Sequence, residues 1–255
     1  MPSSQLLPLS EVSPASGSGR LIGIGVGPGD PELLTVKALR ILQAAPVVAF
    51  PAGRKGQSGM AEQIIAPWLQ AEQLRLPLEF SFAREPEQLL AAWEAAAAKV
   101  WPYLAQGHDV VFASEGDISF YSTFAYLAQT LRQHHPQISI QAIPGVCSPL
   151  AAAAVMNHPL TVQGEKLAIL PALYSPQELE AVLGWAEVVV LMKVSSVYRE
   201  VWEILRQRNL LQQSYVITHI SQPYQECYRD LSHYADLKLP YFSLLVVQST
   251  SNRLA

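Results

Sequence analysis

Cysteine is almost missing from this chain: Cys147 and Cys227 are its two thiols, too few for a disulfide framework. They read as reduced, partly buried thiols of a cytoplasmic protein rather than a redox or metal pair, and no metal site is expected. An excess of charge of one sign is missing too. A formal net charge of −4 and a pI near 5.9 leave none of the electrostatic footprint of a nucleic-acid binder. No apolar run approaches the roughly 20 residues that cross a bilayer, so no membrane partner is expected. Residues 1–19 are rich in Ser and Pro and lack the basic start and apolar centre of a secretory leader; they read as a mobile tail. No internal repeat is present.

What the chain has instead is an apolar half, enough for one large domain or two smaller ones, and one stretch around which the rest is organised. Leu21-Ile22-Gly23-Ile24-Gly25-Val26-Gly27-Pro28-Gly29-Asp30-Pro31 reads as a buried strand running into a glycine-rich turn. Gly25, Gly27 and Gly29 remove side chains where a backbone or a ligand must come close. Asp30 suits a helix N-cap and Pro31 a first helical position. Such a turn at the carboxyl edge of an α/β sheet is where small ligands sit.

A dinucleotide is the obvious ligand to test, and the motif fails. From Gly23 the sixth position is Pro28, and from Gly25 it is Asp30, so neither frame ends on the glycine that G-x-G-x-x-G requires. The second strand, Pro46 to Pro51, ends without the acid that would hold a ribose, and Asp30 and Glu32 would oppose a pyrophosphate.

Thr35 is expected to cap a helix carrying Val36, Leu39, Ile41 and Leu42, and further helices are expected through Ile64 and over 85–106. A strand is expected over 76–82. The apolar strand 109–114 ends in a second sheet-edge turn, Glu115-Gly116-Asp117, before a helix over 120–135 with Tyr121 and Tyr126 on its apolar face. The strand 138–143 ends in a third, Pro144-Gly145-Val146-Cys147-Ser148, with Ser148 capping the next helix. Helices alternating with apolar strands imply a mainly parallel sheet. After residue 158 the pattern changes. Strand and helix alternate over 167–210, then strands over 215–220, 226–231 and 242–247 follow with short connections, which require antiparallel pairing. The expected organisation is therefore a tail over 1–19, an N-terminal α/β domain over 20–158 and a C-terminal α/β mixed-sheet domain over 159–255.

At this point the motifs resemble a known family. Gly25-Val26-Gly27-Pro28-Gly29-Asp30-Pro31-Glu32-Leu33-Leu34-Thr35 is similar to the opening signature of the tetrapyrrole methylases, Glu115-Gly116-Asp117 to their Gly-Asp-Pro turn, and Ile143 to Ser148 with Asn157-His158-Pro159-Leu160 to later signatures. Within that family, the run Glu115 to Leu127 is most similar to the precorrin-2 C20-methyltransferases, including those acting on cobalt-factor II. Where the family usually has Pro after Gly-Asp, this chain has Ile118, so the loop's path is less rigidly preset.

The resemblance implies two α/β domains with S-adenosyl-L-methionine in the cleft between them, a homodimer, and methyl transfer in cobalamin synthesis to C20 of precorrin-2 or cobalt-factor II. It implies cofactor contacts from Pro28, Gly116, Asp117, Ile118, Ser122, Thr123, Met192 and Ser221, and a substrate trough at Gly27, Pro28 and Gly29. The tetrapyrrole's carboxylates could be met by Arg54 and Lys55, with Arg84, Lys193 and Arg199 as further candidates. No residue identifies itself as a proton acceptor. The alternatives are a sibling acting at C2/C7, C11 or C17, a nucleotide-binding oxidoreductase and a noncatalytic binding module.

Overall fold

The computed structural model describes residues 17–53, 57–80, 85–173 and 175–249. By contact the chain forms two compact units, and both are discontinuous in sequence. The first holds residues up to Gly25, Thr35–Ser114 and Ser122–Pro144; the second holds Val26–Leu34, Glu115–Tyr121 and Gly145 onward.

In the first unit, β1 (Leu21–Gly25), β2 (Val47–Pro51), β3 (Leu74–Leu78), β4 (Val110–Ser114) and β5 (Ile140–Ile143) form a sheet in the order β3-β2-β4-β1-β5. Every pair in it is parallel. Parallel strands covered on both faces carry continuous apolar runs, as the wholly buried Leu21-Ile22-Gly23-Ile24-Gly25 and Val110-Val111-Phe112-Ala113-Ser114 do. The crossovers are α1 (Val36–Ala44), α2 (Met60–Ile65), α3 (Pro86–Ala105) and α4 (Phe124–His134). As the sequence implies, Thr35 caps α1, its hydroxyl accepting from Ala38 N at 3.1 Å.

Some details differ from the sequence reading. The strand expected over 76–82 is β3, paired from Leu74↔Val47 to Leu78↔Pro51. The helix expected from residue 120 begins at Phe124, because Tyr121 takes a left-handed backbone (φ 54°) that no α-helix continues through. Tyr121 and Tyr126 are therefore not core: both rings are exposed, and Tyr126 lies stacked on Trp93 at 4.3 Å.

The second unit contains a sheet of β6 (Leu167–Leu170), β7 (Val188–Met192), β8 (Ser214–Thr218), β9 (Glu226–Arg229) and β10 (Ser243–Gln248), in the order β6-β7-β10-β8-β9. Only β6 and β7 pair in parallel; the other pairs are antiparallel, so the sheet is mixed as expected. Its side chains alternate between two cores. Val189, Leu191, Val216, Leu245 and Val247 pack with helices α6 (Pro176–Val182) and α7 (Tyr198–Gln207). Val188, Val190, Ile217, Leu244 and Val246 pack with the alanines of α5 (Ser148–Val155). Small side chains there let α5 sit close to the strands. Ser148 is not the cap of α5: Cys147 holds that position without a side-chain bond, and Ser148 is already helical. Among the described residues, no helix is long and apolar enough to cross a membrane.

Candidate functional site

β4, β1 and β5 are neighbours in the first sheet, and each gives way to a loop belonging to the second unit. Those loops are bonded to one another. Gly27 N donates to Gly116 O at 3.1 Å and Gly116 N to Gly27 O at 2.7 Å, a short antiparallel bridge between the first and second loops. Both residues take positive φ, 80° and 69°. Asp117 joins the second loop to the third: its Oδ2 accepts from Gly145 N at 2.8 Å, and its Oδ1 accepts from Ser119 N at 2.9 Å and Ser119 Oγ at 2.5 Å. Burial disfavours the Asp117 carboxylate, but the bonds from Ser119 and Gly145 outweigh it and hold the carboxyl below its ordinary range. Its oxygens are committed to shaping two turns.

The first loop also seats on the end of β8. A Cβ on Gly29 would lie 2.5 Å from Gln222 Cγ and 2.6 Å from Ile220 O, so glycine is required there for close approach. Asp30 caps a single 3-10 turn, Pro31–Leu33, accepting from Glu32 N.

The sheet of the second unit supplies the rest. β7 and β8 both run antiparallel to β10, which lies between them, so their carboxyl ends share one edge. Met192 stands there opposite Leu244, and Thr218 opposite Ser243. Three non-glycine residues at this edge adopt left-handed backbone: Lys193 (φ 55°), His219 (φ 49°) and Ser221 (φ 61°). Each such residue costs of order 1 kcal/mol, and such strain gathers at binding sites. Ser221 N donates to Gln225 Oε1 at 2.8 Å, which fixes that turn.

Two buried polar atoms near this edge have no partner among the described residues: Thr218 Oγ1 and Gln222 Oε1, on side chains 1% and 9% exposed. An orphaned buried polar atom costs about 1–3 kcal/mol, which a bound ligand offering a hydrogen bond would recover. As hydrogen-bonding atoms beside the bonded loops they suit a polar ligand, and no motif in the sequence signals either residue.

Glu115 opens the second loop. Its side chain keeps solvent access, yet enough protein rings the carboxyl for burial to push it up to about 7, against the pull of the Lys193 ammonium.

The structure thus brings together Gly27, Gly29, Gly116, Asp117 and Ser221, the last through its neighbour Gln222 and through Gly29. Pro28 is half-buried within the same first loop. Ile118 is 2% exposed, so its side chain is packing and only its backbone can serve a ligand. Met192 is half-buried against the α5 side of the sheet. Ser122 and Thr123 belong to the first unit. There the Ser122 hydroxyl donates to Ser114 Oγ at 2.9 Å and accepts from Phe124 N at 3.2 Å, closing the start of α4. Arg199 does not join the site: it pairs with Asp236 at 2.9 Å and Glu203 at 3.1 Å on the surface of α7. Arg54, Lys55 and Arg84 lie outside the described residues, as do residues 1–16 of the expected tail.

Known proteins resemble this chain. The family model described as Tetrapyrrole (Corrin/Porphyrin) Methylases matches residues 20–233. A cobalt-precorrin-2 C(20)-methyltransferase of Salmonella typhimurium is 31% identical over 231 residues, 90% of this chain and 96% of that protein. A precorrin-2 C(20)-methyltransferase of a Sinorhizobium species is 32% identical over 245 residues, 93% of this chain and 98% of that protein. Among solved structures, a uroporphyrin-III C-methyl transferase from Thermus thermophilus, complexed with S-adenyl homocysteine, aligns at a TM-score of 0.62 and 20% identity, over 90% of this chain and 97% of that one.

Proposed function

The chain belongs to the tetrapyrrole (corrin/porphyrin) methylases, and from that premise we propose that it transfers a methyl group from S-adenosylmethionine to C20 of precorrin-2 or of its cobalt-loaded counterpart. The observation that carries the reading is likeness over nine-tenths of the chain, and nearly the full length of each relative, to two enzymes bearing that name. The departures from the dinucleotide fingerprint agree with it.

When bound, S-adenosylmethionine supplies a methyl group already activated on a sulfonium. The protein's work is to hold, orient and exclude water. In this proposal the backbone of the bonded turns at Gly116 and Ile118 and the carboxylate-shaped loop at Asp117 form the floor for the donor. Pro28, Ser122, Thr123, Met192 and Ser221 complete its contacts, and Thr218 Oγ1 and Gln222 Oε1 meet its polar edge. Gly27, Pro28 and Gly29 border the macrocycle, and Arg54 and Lys55 meet its carboxylates, since cations and carboxylates pair well where water is scarce. We further propose a homodimer acting in the cytoplasm. Light scattering checks the dimer: a single species of one-chain mass would contradict it.

Incubation with S-adenosylmethionine and each acceptor in turn tests the function. Precorrin-2 or cobalt-factor II should gain one methyl by mass spectrometry while uroporphyrinogen III stays unmodified. Methylation of uroporphyrinogen III instead would move the assignment to a sibling.

A further inference from the structure

The first loop is held at two places, and the two differ in kind. At Gly27 it is bonded to Gly116 through both backbone groups. At Gly29 it is held by packing: a Cβ there would stand 2.5 Å from Gln222 Cγ and 2.6 Å from Ile220 O, so the Gln222 stem and the Ile220 carbonyl press on the glycine itself. All of these residues belong to the second unit. Gly29 is also assigned above to the border of the macrocycle, so whatever sets Gly29 sets part of the acceptor's seat.

Gln222 is fixed at its backbone. Its N–H donates to His219 O at 3.0 Å, and its carbonyl accepts from Gln225 N at 3.0 Å. The same turn is tied down by His219 N, which donates to Phe242 O at 2.9 Å, and by Ser221 N, which donates to Gln225 Oε1 at 2.8 Å. Two of its residues, His219 and Ser221, are held in the left-handed region. The tip of Gln222 is another matter. The side chain is 9% exposed, yet its Oε1 has no partner among the described residues.

Two demands therefore meet in one side chain. Packing on Gly29 favours the inward amide, and an acceptor buried without a donor opposes it. The amide could reach water by turning outward, but the stem that would have to turn is the one seated on Gly29. A ligand that offers a hydroxyl, amino or ammonium hydrogen to Oε1 removes the opposition and leaves the packing. S-adenosylmethionine carries all three kinds of donor. Such a ligand prefers one arrangement of the first loop over another, which is what coupling between two ligands requires.

We propose that Gln222 is a positioning residue that makes the two ligands bind cooperatively: its amide oxygen accepts a hydrogen bond from the bound methyl donor, and its stem, fixed by that bond, seats Gly29 and the loop that borders the macrocycle. This rests on the donor and acceptor proposed above. It adds that the donor, once bound, tightens the hold on the acceptor, and the acceptor tightens the hold on the donor by the same factor.

Calorimetry with S-adenosylhomocysteine and cobalt-factor II, which cannot react with each other, tests this. In wild type each should raise the affinity of the other by the same factor, roughly tenfold. Gln222→Met keeps the length of the stem and removes the acceptor. Its coupling should fall to within about twofold of none, and its KM for the acceptor at saturating S-adenosylmethionine should rise by more than kcat falls. The free Gln222→Met protein should melt at or above the wild-type temperature, because an unpaired buried acceptor is gone. Gln222→Glu keeps an acceptor on a stem of the same length and should keep most of the coupling. Thr218→Val should weaken S-adenosylhomocysteine binding and leave the coupling factor as in wild type, which separates loss of affinity from loss of communication. Wild-type protein that binds both ligands without mutual tightening, or Gln222→Met with the wild-type factor, overturns the role of Gln222 and leaves the functional reading standing. Wild-type protein that takes up S-adenosylhomocysteine but neither binds nor methylates either acceptor contradicts the functional reading, and the coupling falls with it.

Discussion

Gly29 and Thr218 occupy opposite extremes of packing near one sheet edge. At Gly29 there is no space. The Ile220 carbonyl stands 2.6 Å from where a Cβ would be, and backbone cannot swing aside as a side chain can. Gly29→Ala should therefore cost about 1–3 kcal/mol and weaken S-adenosylhomocysteine binding, read by denaturant melts and calorimetry; unchanged values in both would show that the first loop is free to shift. At Thr218 there is an atom too many, a buried hydroxyl without a partner among the described residues. Thr218→Val keeps the shape and removes that hydroxyl. The free protein should melt at or slightly above the wild-type temperature, while ligand affinity falls roughly tenfold, the worth of about 1–2 kcal/mol. An unchanged affinity would place the ligand elsewhere. The need for Gly29 is written in the sequence as a run of alternating glycines. The orphan at Thr218 is not, because an apolar strand ending in Thr looks the same whether or not its hydroxyl finds a partner.

Among the elements, α1 shows how local signals fix an end. Thr35 accepts from Ala38 N at its start, and at its finish the buried Gln73 side chain donates to Leu42 O at 2.6 Å and Ala45 O at 2.7 Å. Thr35→Ala should lower stability by about 1 kcal/mol, seen as a lower denaturant midpoint with an unchanged slope; a changed slope would mean that more than the cap was lost. The first end was legible and the second was not, since Gln73 lies 28 residues from the carbonyl of Ala45. The same contrast holds for α4. Its apolar pattern reads through residue 120, but the left-handed Tyr121 and the Ser122 hydroxyl set its start at Phe124. Periodicity finds elements, whereas their boundaries are decided by single dihedrals and single hydrogen bonds. Strands β6 to β10 were legible as a mixed sheet because connection length alone dictates antiparallel pairing.

At the scale of the whole molecule, family and chemistry were legible because three sheet-edge turns recur in order along one chain. The bonds between those turns were not. Gly27 to Gly116 and Asp117 to Gly145 join residues far apart in sequence, and these loops belong to the same compact unit as the C-terminal sheet. Asp117 illustrates the limit: the family resemblance implies a cofactor contact there, and the structure commits its carboxylate to holding a neighbouring turn. Methyl transfer to C20 is the claim on which the rest depends. The most direct measurement supplies S-adenosylmethionine labelled with carbon-13 in its methyl group, together with precorrin-2 or cobalt-factor II, and locates the label by NMR. The account predicts a single enriched methyl on C20; enrichment at any other ring position, or none, would contradict it.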